Sequence, residues 1–136
     1  MKILLAVMLY FGTSCSLAYE VTQEQIEFVN KLKNATKAED KEWISSVIAY
    51  PVLVILENGE RTQIKDKFDF IKNYDTIFHA NIKDAILKQE IGDLFFNWQG
   101  LMVGHGQVWI WEEAKEKDIR EFRIVTLNAH APPVTK

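Results

Sequence analysis

Tyr50, Tyr74, Asp69, Asp75, His79, His105 and His130 are the side chains here whose types suit proton transfer. A buried aspartate beside a tyrosine in a dry cavity can move protons, because its surroundings drive pKa values apart. Asp69 and Asp75 lie in one helical stretch with Tyr74, where a solvated face is the simpler reading for both acids. His105 stands between Gly104 and Gly106, the setting of an exposed turn. A catalytic base needs a partner within hydrogen-bond reach, and no residue is spaced to supply one. His79 follows Phe78 at a helix end, where an imidazole favours the helix dipole and caps the last carbonyls. His130 falls near the end of the chain. No catalytic residue is assigned from these patterns. Tyr50 and Tyr74 read better as pocket residues, each an apolar ring with a hydroxyl that needs a partner when buried. Phe78, Trp98 and Met102 are the further candidate ligand contacts.

Other chemistries lack their residues. Cys15 is the only cysteine and no paired-histidine motif occurs, so neither a metal nor a cofactor is expected. Gly100, Gly104 and Gly106 are not followed by Lys-Ser/Thr and do not make a phosphate loop. No serine sits in a nucleophile elbow. With 16 basic against 19 acidic residues and no Lys/Arg stripe, nucleic acid is not an expected partner.

The stretch "NWQGLMVGHGQVWIW", residues 97–111, holds three of the four tryptophans. As strand, "QVWIW" places Gln107, Trp109 and Trp111 on one face and Val108 and Ile110 on the other. "LFFNW" likewise sets Leu94, Phe96 and Trp98 against Phe95 and Asn97. Strands apolar on both faces want cover on both. Large core residues are the simpler explanation. Helices cover one side of such a sheet, so Trp109 and Trp111 are the candidate interface with a second copy or another protein.

The elements that must position these residues can be read locally. "VTQEQIEFVNKLKNA" predicts a helix, with Thr22 and Gln25 as a capping box and Ile26, Val29 and Leu32 inward. "KAEDKEWISSVIAY" predicts a second, with Trp43, Ile44, Val47 and Ile48 on one face and Pro51 ending it. "PVLVILENGERTQI" predicts a hairpin whose Asn58-Gly59 forms a two-residue turn. "DKFDFIKNYDTIF" predicts a helix with Phe68, Ile71, Tyr74 and Phe78 sharing a face. "NIKDAILKQEIG" predicts a short helix ending near Gly92, with Ile82, Ala85 and Ile86 inward. "DLFFNW", "GLMVG", "QVWIW" and "REFRIVTLN" predict strands. "GHG" is a turn, "EEAKEKD" a polar connection, and residues 129–136 a flexible tail. The order implies an α+β domain over residues 19–128, with helices packed on one face of a curved, mainly antiparallel sheet.

Residues 1–18 are set apart. Lys2, the nine-residue apolar run "ILLAVMLYF" and small residues ending at Ala18 have the layout of a secretory signal. The run falls short of the roughly 20 residues of a permanent span, so no membrane span is expected. Cleavage after Ala18 would leave a chain beginning at Tyr19, exported to a periplasm or beyond. Loss of Lys2 leaves 15 basic residues against 19 acidic, a net charge of −4. The alternative is a lipoprotein anchored at Cys15. A mature chain without cysteine must rely on its core, which a domain of this size can build.

The element order resembles the NTF2-like superfamily, the cone-shaped fold also termed SnoaL-like or cystatin-like. The residues that carry the resemblance are "AYPVLVILENGERTQIKDKFDFIKNYDTIF" and "LFFNWQGLMVGHGQVWIW". They are similar to small exported bacterial members, and the likeness spans residues 22–128. It implies a strongly curved sheet forming a cone, and dimers made through the sheet. It does not fix the chemistry, since that superfamily holds enzymes, carriers and inhibitors. The leading expectation is a non-enzymatic exported domain. It would bind a small apolar ligand in the cone or a protein partner through the sheet, as a homodimer. The alternatives are a periplasmic inhibitor or immunity-type protein, and a small cone dehydratase, isomerase or hydrolase.

Overall fold

The structure is a computed structural model that describes residues 18–135. The apolar run of the expected signal and the Cys15 alternative lie outside the described residues. The fold is α+β, with helices and a six-stranded mixed sheet of order β2-β1-β6-β5-β4-β3. The sheet is open, with β2 and β3 at its edges, rather than curled into the expected cone.

Helix α1 spans Gln23–Lys37. The Thr22 hydroxyl accepts from Gln25 N (3.2 Å) and Gln25 Oε1 accepts from Thr22 N (2.9 Å), the expected capping box. Val29 and Leu32 are fully buried. Helix α2 covers only Lys41–Ser46, with Asp40 as its N-cap. The helical pattern runs on to Tyr50, but strand β1, Ile48–Ile55, begins before Pro51. Sheet pairing overrides the helical pattern: Ile124 N donates to Val47 O (2.8 Å) and Ile48 pairs with Ile124. Pro51 therefore lies inside a strand, after a cis Tyr50–Pro51 peptide.

Strand β2, Arg61–Ile64, returns antiparallel to β1. The turn carries three residues, not two. Leu56 N donates to Glu60 O and Gly59 N to Leu56 O, both at 2.8 Å. Gly59 alone takes positive φ (+86°), the conformation a three-residue hairpin loop asks of its last residue.

The expected single helix over 66–78 is two, α3 (Lys67–Lys72) and α4 (Tyr74–Ile77), broken at Asn73. The break turns the face. Phe68 is 81% exposed, while Phe70, Tyr74 and Phe78 go inward at four-residue spacing. Helix α5, Ala80–Lys88, buries Ile82, Ala85 and Ile86 as expected and stops short of Gly92.

Strands β3 (Phe95–Asn97), β4 (Gly100–Val103), β5 (Val108–Glu116) and β6 (Ile119–Asn128) are joined antiparallel. β6 then pairs parallel with β1. "EEAKEKD" is not a loop: β5 continues through it to Glu116, which pairs with Ile119. Its charges are strand side chains in cross-strand ion pairs, Glu112 with Arg120 (2.9 Å) and Lys115 with Glu121 (2.8 Å).

Val52, Val54, Leu101, Val103, Val108, Ile110, Ile124 and Leu127 form one buried cluster with the inward helix residues. Phe95, Met102, Trp109, Thr126 and Leu53 face the other way and stay half-buried. After β6 the chain runs along α5. Asn81 Nδ2 donates to Ala129 O and Ala131 O, both at 2.9 Å, and Gln107 Nε2 donates to Pro132 O at 2.8 Å. Among the described residues no helix is long and apolar enough to cross a membrane.

Candidate functional site

A cavity of about 230 Å³ lies between the start of α1 and the inner face of β3–β6. Its floor is Phe96, Leu101, Ile110 and Phe122. Strand geometry puts them there: Leu101 pairs with both Phe96 and Ile110, and Phe122 pairs with Glu112, two residues along β5 on the same face. α1 adds Gln25, 1% exposed, whose Oε1 is committed to the capping box. The rim is aromatic. Tyr19, Trp98 and Trp111 line it and are 47%, 71% and 45% exposed.

Local chemistry fixes the rim. Asn97 Oδ1 accepts from Gln99 N (2.9 Å), closing the β3–β4 turn on which Trp98 stands. Tyr19 N donates to Phe96 O (2.8 Å), and the two rings meet edge-on with centroids 5.4 Å apart. Among the described residues Glu112 is the one charged side chain in the lining. Its Oε1 accepts from Arg120 Nη1 at 2.9 Å. That bond, above all, holds the Arg120 guanidinium above its ordinary pKa.

A larger, shallower groove of about 490 Å³ runs past Leu56, Glu57, Asn58, Asp75, Thr76 and His79. Most of that lining is exposed. His79 is the N-cap of α5, not the C-terminal cap of the preceding helix. Its Nδ1 accepts from Asn81 N (3.4 Å) and its Nε2 lies 3.2 Å from Glu57 Oε2. His130 Nδ1 is 2.9 Å from Glu57 O. The two rings thus tie the β1–β2 hairpin tip to the start of α5 and to the C-terminal stretch. His105 is exposed on the β4–β5 turn. Among the described residues no group of three or more His, Cys, Asp or Glu could hold a metal ion.

The residues predicted as ligand contacts are scattered. Trp98 lines the cavity. Tyr50 Oη donates to Ser45 O (2.8 Å), tying β1 to α2. Its hydroxyl is pushed above the ordinary phenol range by burial and then by Asp66. Tyr74 and Phe78 stack in the core, with centroids 5.3 Å apart. Met102 is on the outer face, paired with Phe95 and Trp109. Of the two candidate interface residues, Trp109 is on that outer face while Trp111 reaches the cavity rim. Asp69 and Asp75 lie on different helices, and Asp75 is exposed. The residues missed are Tyr19, Gln25, Phe96, Leu101, Ile110, Glu112 and Phe122. Period-two alternation carried a signal for the strand members.

Tyr74 has a chemistry of its own. Its ring is 1% exposed, and Lys41 Nζ and Lys83 Nζ lie 4.8 and 5.0 Å from the ring centroid. Its hydroxyl has no hydrogen-bond partner among the described residues. Burial, and then the Glu39 carboxylate beside it, raises that hydroxyl above the ordinary phenol range, so it stays protonated. Glu39 in turn is held below its ordinary 4.5, first of all by Lys83. A buried hydroxyl left unpaired costs about 1–3 kcal/mol. Tyr74→Phe is therefore expected to leave stability unchanged or raise it by about 1 kcal/mol in urea unfolding. A comparable loss instead would mean that Tyr74 Oη closes a hydrogen bond to Glu39 in solution.

Comparison of the chain with protein-family models, with curated proteins and with solved structures finds no match.

Proposed function

We propose that this chain is an exported ligand-binding domain that takes a small apolar molecule into the cavity between α1 and β3–β6. One observation carries the reading: an apolar floor under a rim of three aromatic side chains, with few polar groups converging on it. Those polar groups are already engaged in structure. Gln25 Oε1 serves the capping box, Asn97 Oδ1 the β3–β4 turn, and Glu112 Oε1 the Arg120 pair. Binding, not catalysis, is the activity this favours. The sequence resemblance over residues 22–128 is what supports an NTF2-like relation. The signal-like start of the chain supports export.

The test is saturable binding of neopentylbenzene, followed by tryptophan fluorescence because Trp98 and Trp111 stand at the rim. Trp98→Ala removes an exposed rim residue and Leu101→Phe fills the floor. Each is expected to weaken binding about tenfold or more, as about 1.4 kcal/mol of lost contact would do. Met102→Ala, on the opposite face, is expected to leave it unchanged. Absence of saturation, or equal losses in all three variants, would sink the proposal.

A second reading rests on a different observation. Leu53, Met102 and Trp109 form an apolar row on the outer face, apart from the cluster that the helices cover. A homodimer, or a protein partner, through that row fits the expected role of Trp109.

A further inference from the structure

We infer that the ligand of this cavity is an organic monocation, a quaternary or protonated amine on an apolar body, whose charge sits against Glu112 and the indole faces of the rim. This rests on the ligand-binding reading above and narrows it by charge.

Among the described residues the lining contains one carboxylate, from Glu112, and no lysine or arginine. The Glu112 side chain is 22% exposed, so it stands in a partly desolvated wall where a charge acts strongly. Its one ion-pair partner, Arg120, approaches Oε1 only, and the Arg120 side chain is 66% exposed on the hairpin end. Among the described residues no hydrogen bond or ion pair engages the other carboxylate oxygen. Arg120 itself does not line the cavity, and Glu24 of α1 and Asp118 also favour its charged form. An anionic ligand would meet a carboxylate without a cation in the lining to receive it.

The aromatic side chains point the same way. Tyr19, Trp98 and Trp111 line the mouth and are 47%, 71% and 45% exposed, and Phe96 and Phe122 also line the cavity. Ring faces carry negative electrostatic potential and attract a cation within about 6 Å of the centroid, indole most strongly. A neutral apolar ligand would gain apolar contacts with floor and rim, without the electrostatic attraction. A cation on an apolar body gains the floor, the ring faces and the carboxylate together.

Three compounds with one benzyl body separate these cases: benzyltrimethylammonium, its uncharged isostere neopentylbenzene, and phenylmethanesulfonate. Binding to the wild-type chain and to Glu112→Gln is measured by tryptophan fluorescence and calorimetry. The cation is expected to bind about tenfold more tightly than neopentylbenzene, a difference of about 1.4 kcal/mol. The sulfonate is expected to bind most weakly. Glu112→Gln keeps the shape and is expected to remove most of the cation's advantage while leaving neopentylbenzene within about twofold. Equal affinity for cation and isostere, tightest binding by the sulfonate, or an undiminished preference in Glu112→Gln would each overturn the charge inference and leave the apolar cavity standing. Binding by none of the three compounds would instead overturn the ligand-binding reading itself.

Discussion

Gln107→Leu is expected to lower the free energy of unfolding by about 2–4 kcal/mol, because a buried amide that joins three segments is lost. Gln107 is 0% exposed. Its Oε1 accepts from His105 N (2.6 Å), which holds the β4–β5 turn. Its Nε2 donates to Pro132 O (2.8 Å) and lies 3.5 Å from Asn81 Oδ1. Leucine fills much the same space, so cavity formation is not the main cost. The loss comes from the groups left behind. The His105 N–H and the Pro132 carbonyl lose their partners in part-buried hydrogen bonds, at up to about 1–3 kcal/mol for each unpaired group. Asn81 holds the same C-terminal stretch through Ala129 O and Ala131 O. The double variant with Asn81→Ala should therefore lose less than the sum of the two, since either change frees that stretch. Urea unfolding of the four proteins measures this, and faster amide exchange at His105 should accompany it. A loss below about 1 kcal/mol would mean that water replaces the amide at both ends.

Gln107 also marks the limit of what the chain discloses. Alternation put it on the face of Trp109 and Trp111, yet the turn after Gly104 folds its side chain inward. Signals held within a few residues were legible. The Thr22–Gln25 box is one, the Gly59 hairpin another, and the Ile82, Ala85, Ile86 face a third. Errors arose where a distant strand decided. "VIAY" continues a helical pattern, but Ile48 gains a partner in Ile124, and sheet pairing wins. "EEAKEKD" looks like a loop because both faces of that strand are polar. Its pairing is visible only once Arg120 and Glu121 lie opposite. Phe68 and Phe70 exchange roles because the helix breaks at Asn73, a stop that Asn73 itself reinforces by donating Nδ2 to Asp69 O (3.0 Å).

The candidate site divides the same way. The floor residues Phe96, Leu101 and Ile110 follow from strand alternation, once the inner face is known. Alternation alone names two faces and not which one the helices take. Tyr50, Tyr74 and Phe78 were attractive as ring-and-hydroxyl types, but four-residue spacing draws Tyr74 and Phe78 into the core with Phe70. Glu112 was read as part of a polar connection, so the charge it brings to the cavity wall was invisible until β5 extended through it.

The other large effect is expected at Gly100. Gly100→Ala should cost about 3–5 kcal/mol, as backbone strain and overpacking act together. Gly100 opens β4 at φ +125°, where a side chain is strained whatever the space around it. A Cβ there would lie 2.6 Å from the Ile110 carbonyl oxygen and 3.6 Å from the Trp111 ring. The closer of these is main chain. It can yield only if β5 moves away from β4, which would pull apart the Leu101–Ile110 pair that forms the cavity floor. Stability and binding should therefore fall together. Gly92→Ala is the control: no atom lies within 4 Å of its added Cβ, so a change of no more than about 0.5 kcal/mol is expected. Thermal unfolding with and without benzyltrimethylammonium reads both effects. A ligand that binds the native state raises the melting temperature by an amount that grows with the logarithm of its affinity, so wild type and Gly92→Ala should shift alike while Gly100→Ala shifts less. Equal shifts in all three would place the ligand away from the Gly100 wall. An unchanged melting temperature in Gly100→Ala would mean that β4 and β5 are not packed as closely as this geometry has them.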